Sequence, residues 1–247
     1  MPSFAVILPA AGQSSRFGGG EKKPFLPLDG KAIWLRSAEL FWKRPEVLLV
    51  CVVVSPDDLE SFRLRFGAIC YLMGVEIVAG GAERFASVAN ALAFVPEEVD
   101  FVAVHDAVRP LATPNLIDDV FAAAVQRGAA MLAVPVADTL KRVEPDTNRI
   151  AETVSRVGLW AAQTPQVFRR EWLLDASRNR HDIANPITDD AQMVEACGHS
   201  VFVVPGSPTN FKITTRDDFE LAEAILRSRH PKVETTARAP FDEDAKW

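Results

Sequence analysis

Residues 47–54 read Val-Leu-Leu-Val-Cys-Val-Val-Val, eight apolar side chains in a row and five of them valine. Such a run is too short to cross a bilayer. It suits a strand buried on both faces, the kind found in parallel sheets covered by helices. Shorter runs recur at 4–9, 101–104 and 130–134, 75–78 reads as a further short strand, and amphipathic stretches separate them. Residues 31–42 bring Leu35, Ala38 and Phe41 to helical spacing, and 56–66 and 84–95 read as further helices. Thr113-Pro114 reads as a cap and first-turn proline opening another. Strands alternating with helices predict an α/β fold with a mostly parallel twisted sheet flanked by helices.

The rhythm changes at 136–160. Two strand-like runs, 136–143 and 150–157, flank the polar turn Glu144-Pro145-Asp146-Thr147-Asn148. They predict a protruding β-hairpin arm. An isolated hairpin is marginal in water, so this one is expected to pack on something else, a second subunit being the first candidate. Afterwards a helix is expected from Thr188 to Gly198, a strand at 200–204, and a final helix opened by a capping box at Thr215-Arg216-Asp217-Asp218. Residues 1–230 are read as a single domain, and the mixed, polar stretch 231–247 as a disordered tail.

Charge and composition exclude several classes of function. Lys and Arg number 27 against 33 Asp and Glu, a net charge of −6. That balance argues against a general binder of nucleic acid or anionic membranes. No apolar run approaches the roughly 18 residues of a transmembrane helix. Met1-Pro2-Ser3-Phe4 lacks the basic start of a secretory signal. The three cysteines, Cys51, Cys70 and Cys197, lie far apart with no metal spacing. Reduced thiols in a cytoplasmic protein are the expectation.

Chemistry enters with the loop after the first strand. Ala10-Ala11-Gly12-Gln13-Ser14-Ser15-Arg16-Phe17-Gly18 is followed by Lys22-Lys23-Pro24-Phe25. Small residues let backbone N–H groups approach an anion, and Arg16 and Lys23 add positive charge, which suits a triphosphate. The loop is neither a Walker A sequence nor a dinucleotide fingerprint, whose glycine spacings are absent. Asp106 lies just beyond the run 101–104, at the strand end where α/β sheets bind ligands. A carboxylate there can hold Mg²⁺. His105 beside it is read as a packed, hydrogen-bonded side chain rather than a base.

Ala10-Ala11-Gly12-x-x-x-Arg16-Phe17 with Lys23-Pro24-Phe25 resembles the signature of sugar-phosphate nucleotidyltransferases. Further blocks follow in order: Gly80-Gly81-Ala82-Glu83-Arg84-Phe85-Ala86-Ser87-Val88, Val104-His105-Asp106-Ala107-Val108-Arg109-Pro110, Ala137-Asp138-Thr139-Leu140-Lys141, Thr153 to Trp160, Gln163-Thr164-Pro165-Gln166-Val167-Phe168 and Asn210-Phe211-Lys212-Ile213-Thr214. Together, over about residues 4–228, they resemble the 2-C-methyl-D-erythritol 4-phosphate cytidylyltransferase family.

The resemblance implies a Rossmann-like fold, a homodimer made through an exchanged β-arm, a divalent cation, usually Mg²⁺, and transfer of CMP from CTP to a small polyol phosphate in non-mevalonate isoprenoid biosynthesis. It implies catalytic roles for Arg16, Lys23, Lys212 and Asp106, the last also as metal ligand. Ala10, Ala11, Gly12, Gly81 and Ser87 match positions that cradle CTP. Arg109, Thr139, Arg156 and Thr164 match positions that hold the acceptor, with Thr139 and Arg156 reaching in from the partner's arm. Ser14 and Thr209 depart from the pattern, where relatives often carry Gly and an acidic residue respectively. Ribitol 5-phosphate cytidylyltransferase, a nucleotidyltransferase of other specificity, and a non-catalytic nucleotide-sensing module remain as alternatives.

Overall fold

The structure, a computed structural model, describes residues 1–12, 22–180 and 186–229. Arg16 and the stretch 231–247 lie outside the described residues. In chain order the elements are β1 (Phe4–Pro9), β2 (Pro27–Leu28), β3 (Lys31–Ala32), α1 (Ile33–Glu39), β4 (Val47–Val54), α2 (Leu59–Met73), β5 (Val75–Ala79), α3 (Arg84–Leu92), β6 (Phe101–Val104), α4 (Pro114–Arg127) and β7 (Ala129–Pro135). They continue with β8 (Leu140–Val143), β9 (Ile150–Val154), β10 (Trp160–Arg169), α5 (Arg170–Arg178), α6 (Asp190–Ala196), β11 (Phe202–Pro205) and α7 (Arg216–Arg229).

Among the described residues seven strands form one sheet in the order β11-β7-β10-β6-β1-β4-β5. All neighbours are parallel except β10, which runs antiparallel to both β6 and β7. Alternation within the strands feeds two apolar layers. Phe4, Val6 and Leu8 of β1 join Trp34 of α1, Phe62 of α2 and Val120 of α4 on one face. Ala5 and Ile7 join Val88 of α3, Leu173 of α5 and Met193 of α6 on the other. A third cluster seats α7, through Ala222 and Leu226, against Leu28, Ile33 and Leu111. Covered on both faces, β1, β4, β6 and β7 have no reason to carry polar side chains, which is why they read as unbroken apolar runs. No helix among the described residues is long and apolar enough to cross a membrane.

The caps match the sequence closely. The Thr113 hydroxyl accepts from the Leu116 N–H, with Pro114 opening α4. Thr215 and Asp218 satisfy each other reciprocally at the start of α7: Asp218 Oδ2 accepts from Thr215 N at 2.8 Å, and Thr215 Oγ1 from Asp218 N at 3.2 Å.

Several boundaries differ from the prediction. The helix expected at 31–42 begins at Ile33, because Lys31–Ala32 pairs with Pro27–Leu28 as a small hairpin. The helix expected at 56–66 begins with a 3₁₀ turn at Pro56–Asp58 and then runs as α2 to Met73. It passes through Gly67, because Ile69, Cys70 and Met73 pack into the core and outweigh the roughly 1 kcal/mol that glycine costs. It stops at Gly74, whose φ of 65° is left-handed. The cap of α6 is Asp189 rather than Thr188. Strand β10 and helix α5 were not anticipated. Pro165 argues against a central strand, yet it sits where pairing with β7 shifts register, between Ala162 and Gln166. The hairpin arm is present as β8 and β9, paired from Leu140↔Val154 to Val143↔Ile150 and separate from the main sheet.

Candidate active site

The site is assembled at the carboxyl ends of the parallel strands, where backbone bonds between neighbouring strands hold the loops in place. Ala10 N donates to Val53 O at 2.8 Å and Gly80 N to Val54 O at 2.7 Å, so the loops after β1 and β5 leave the sheet side by side. Between them lies a cavity of about 370 Å³. Ala10, Ala11 and Gly12 form one wall, Gly81 and Ser87 another, and Lys23, Asp106 and Lys212 converge on the rest. Gly81 is sterically required: a Cβ there would sit 2.5 Å from that of Ala86. The Gly81 N–H donates to Ser87 Oγ at 3.1 Å, which leaves the hydroxyl hydrogen for another acceptor.

The two lysines of the Lys-Lys-Pro stretch diverge. Lys22 pairs outward with Asp58 at 2.5 Å and donates to Ser55 Oγ at 3.1 Å. Lys23, largely buried, opens the 3₁₀ turn Lys23–Phe25 and donates to Thr214 O at 3.2 Å. The start of the chain is thereby tied to the loop carrying Lys212.

Asp106 is the electrostatic centre. Its Oδ2 lies 3.2 Å from Lys212 Nζ and 3.3 Å from Arg109 Nε, and its Oδ1 3.7 Å from Arg84 Nε. Burial alone would raise its pKa, but the Lys212, Arg84 and Arg109 cations more than offset that and hold the carboxyl well below the usual range. His105, beside it, is fully buried, and burial pushes its imidazole down to about 4. The Arg109 carbonyl, 3.0 Å from Nε2, can only accept, so Nε2 carries the proton. Nδ1 then accepts from the Thr164 hydroxyl at 3.1 Å, and that oxygen in turn accepts from the Asp106 N–H at 3.0 Å. His105 is therefore a neutral spacer that ties the Arg109 carbonyl to the Thr164 hydroxyl, and through that hydroxyl to the Asp106 N–H, in keeping with its reading as a packed side chain.

A second cavity of about 230 Å³ adjoins the first and shares Arg84, Asp106 and Lys212 with it. Arg109 and Thr164 line it, and Arg109 is braced by donating to Asn210 O at 2.8 Å. Asn210 is buried and donates to Thr164 O at 2.9 Å, which links the block around Lys212 to β10. Two anionic ligands could thus lie side by side with their facing ends at Asp106 and Lys212.

The structure therefore gathers Ala10, Ala11, Gly12, Lys23, Gly81, Ser87, Asp106, Lys212, Arg109 and Thr164 around two joined cavities. It does not bring Thr139 or Arg156 there. Both are exposed at the ends of the arm strands, and neither lines a cavity in the single chain. Arg16 falls outside the described residues. Sequence reasoning missed Arg84 and Asp190. Arg84 Nη1 donates to Asp190 Oδ2 at 2.6 Å, and Asp190 is completely buried. Burial pushes the Asp190 carboxyl up while Arg84 pulls it down. Arg84 stands inside the Gly80–Val88 block, three residues after Gly81, and that is the available signal.

Comparison with known proteins gives a consistent result. The family model described as 2-C-methyl-D-erythritol 4-phosphate cytidylyltransferase (IspD) matches residues 4–228. A protein of that name from Bacillus velezensis is 39% identical over 226 residues, 91% of this chain and 96% of its own length. Another from Symbiobacterium thermophilum is 44% identical over 222 residues, covering 90% and 92%. The crystal structure of 4-diphosphocytidyl-2C-methyl-D-erythritol synthase from Anaerococcus prevotii superposes with a TM-score of 0.77 at 25% identity, covering 92% of this chain and 96% of that one.

Proposed function

The chain belongs to the 2-C-methyl-D-erythritol 4-phosphate cytidylyltransferase family, and on that footing we propose that it transfers CMP from CTP to 2-C-methyl-D-erythritol 4-phosphate. The products are 4-diphosphocytidyl-2-C-methyl-D-erythritol and pyrophosphate. The observation that carries this reading is the pair of joined cavities meeting at Asp106, Arg84 and Lys212. CTP takes the larger one, with its base and ribose between the Ala10–Gly12 wall and the Gly81–Ser87 wall. The acceptor takes the smaller, its phosphate gripped by Arg109, whose guanidinium can bind two oxygens at once.

An acceptor phosphate oxygen attacks the α-phosphorus, a new P–O bond forms, and the bond to the bridging oxygen of pyrophosphate breaks. Negative charge accumulates on the α-phosphate and the leaving group, so catalysis is mostly positioning and electrostatics. Lys23, together with Arg16, stabilises the triphosphate charge. Lys212, between the two ligands, aligns the attacking oxygen.

Mg²⁺ is the proposed cofactor. Among the described residues no group of three or more His, Cys, Asp or Glu side chains could hold a metal by itself. Asp106 alone fits the manner in which Mg²⁺ binds, through one or two carboxylates plus substrate phosphates and water. When bound, the ion would neutralise phosphate charge.

Residues 1–230 are read as one catalytic unit working as a homodimer through the arm at about 136–160. In support, the arm region exposes Val157 (89%), Ile150 (58%) and Trp160 (44%), apolar surface that a second copy would cover. The cytoplasm is the proposed compartment, and its support is that all three cysteines are free.

Purified protein with CTP, Mg²⁺ and 2-C-methyl-D-erythritol 4-phosphate should release pyrophosphate. Faster release with ribitol 5-phosphate, or with ATP, GTP or UTP, would overturn the specificity. Tight CTP binding without turnover would identify a sensing module instead.

A further inference from the structure

The pair Arg84–Asp190, its carboxylate fully buried and its guanidinium partly exposed, has no part in the mechanism above. Asp190 opens α6 with no solvent exposure, and gives one oxygen to Arg84 while the other, Oδ1, is buried without a hydrogen-bond partner among the described residues. A carboxylate kept for stability alone is poorly served by such a place, since an apolar side chain of similar volume often does as well. Arg84 opens α3. One end of its guanidinium is clamped on Asp190, and its Nε faces Asp106 Oδ1 at 3.7 Å. Lys212 and Arg109 both approach the other oxygen, Oδ2. Of these three cations, Arg84 and Lys212 line both cavities, and Lys212 is the more exposed.

We propose that Asp190 and Arg84 are a positioning pair: Asp190 fixes the Arg84 guanidinium, and Arg84 fixes the Asp106 carboxylate from its Oδ1 side, so that Asp106 presents one geometry to both substrates. This rests on the CMP-transfer reading. A planar guanidinium can address two carboxylates in fixed directions, whereas an ammonium is a point charge that settles on one. The pair acts through Asp106 and does not itself touch the reacting atoms.

The decisive variant is the double substitution Arg84→Gln/Asp190→Asn, which removes both charges together and avoids leaving one buried and unpaired. Its melting temperature is expected within about 4 °C of the parent. Its kcat should fall about 10- to 100-fold, the usual effect of losing a partner that orients a functional side chain. Its Kd for CTP, measured by calorimetry, should stay within about threefold. Arg84→Lys, which keeps the charge, should hold the melting temperature near the parent without restoring kcat. A double variant with parental kcat overturns the pairing. So does one whose kcat, CTP affinity and melting temperature decline together, because that is a merely structural effect. The parent is run in the same assay: no pyrophosphate release from it overturns CMP transfer itself, whereas parental release beside an unaffected double variant overturns only the positioning role.

Discussion

Lys23→Ala is the sharpest single test of the electrostatics. A cation about 4 Å from a phosphate charge contributes roughly 4 kcal/mol at the effective dielectric of about 20 suited to a partly enclosed site. Deleting one preorganised contact to developing charge costs about 3–4 kcal/mol, or about 10²–10³ in rate. In the folded state Lys23 Nζ donates to Thr214 O at 3.2 Å, and such a bond contributes about 1 kcal/mol net. For a chain of this size that corresponds to about 2–4 °C in melting temperature. The assay is steady-state pyrophosphate release with CTP varied, alongside thermal unfolding. The loss should fall on kcat more than on KM, because charge on the α-phosphate grows towards the transition state. Turnover within about threefold of the parent, in a folded variant, would refute the role of this lysine.

Other outcomes follow from burial and from the arm. His105 is fully buried, and its pKa is lowered from 6.5 to about 4, so the unfolded chain takes up a proton that the folded one refuses. Stability is complete above about pH 6.5 and declines as pH falls towards 4, by roughly 3 kcal/mol in all. His105→Gln should flatten that acid slope in urea denaturation, and an unchanged slope would refute it. Burial pushes Cys51 up to about 12 and Cys70 up to about 11. A chromogenic disulfide at about pH 8 should therefore titrate Cys197 alone in the native protein, and rapid reaction of two or three thiols would refute this. Mixed dimers of Lys23→Ala and Arg156→Ala subunits should regain activity if each site borrows an arm; confirmed mixed dimers without rescue would exclude the exchange.

Much of the fold was legible because burial on both faces leaves a plain trace. The strand at Val47–Val54 and the caps at Thr113 and Thr215 appear where their side chains say they should. Strand β10 was not legible. Its polar Gln163, Thr164 and Gln166 are buried because each has a partner elsewhere in the fold: Ser207 O, Asp106 N and Asp189. No local pattern announces a partner that far away. The same holds at the site. Lys23, Asp106 and Lys212 stood out by motif, but Arg84 and Asp190 are separated by 106 residues and acquire meaning only when α3 and α6 begin at the same point. Thr139 and Arg156 rested on resemblance alone, and the single chain leaves them on the arm.

The bond from Lys23 to Thr214 joins residues 191 apart, close to the whole length of the described chain. During synthesis the loop carrying Lys23 emerges well before the segment that completes its surroundings. A nascent or prematurely terminated chain, lacking Lys212 and the Thr214 carbonyl, would hold only half of a nucleotide pocket. Such fragments would not compete for CTP, and catalytic competence would wait until the segment carrying Lys212 has been made and folded into place.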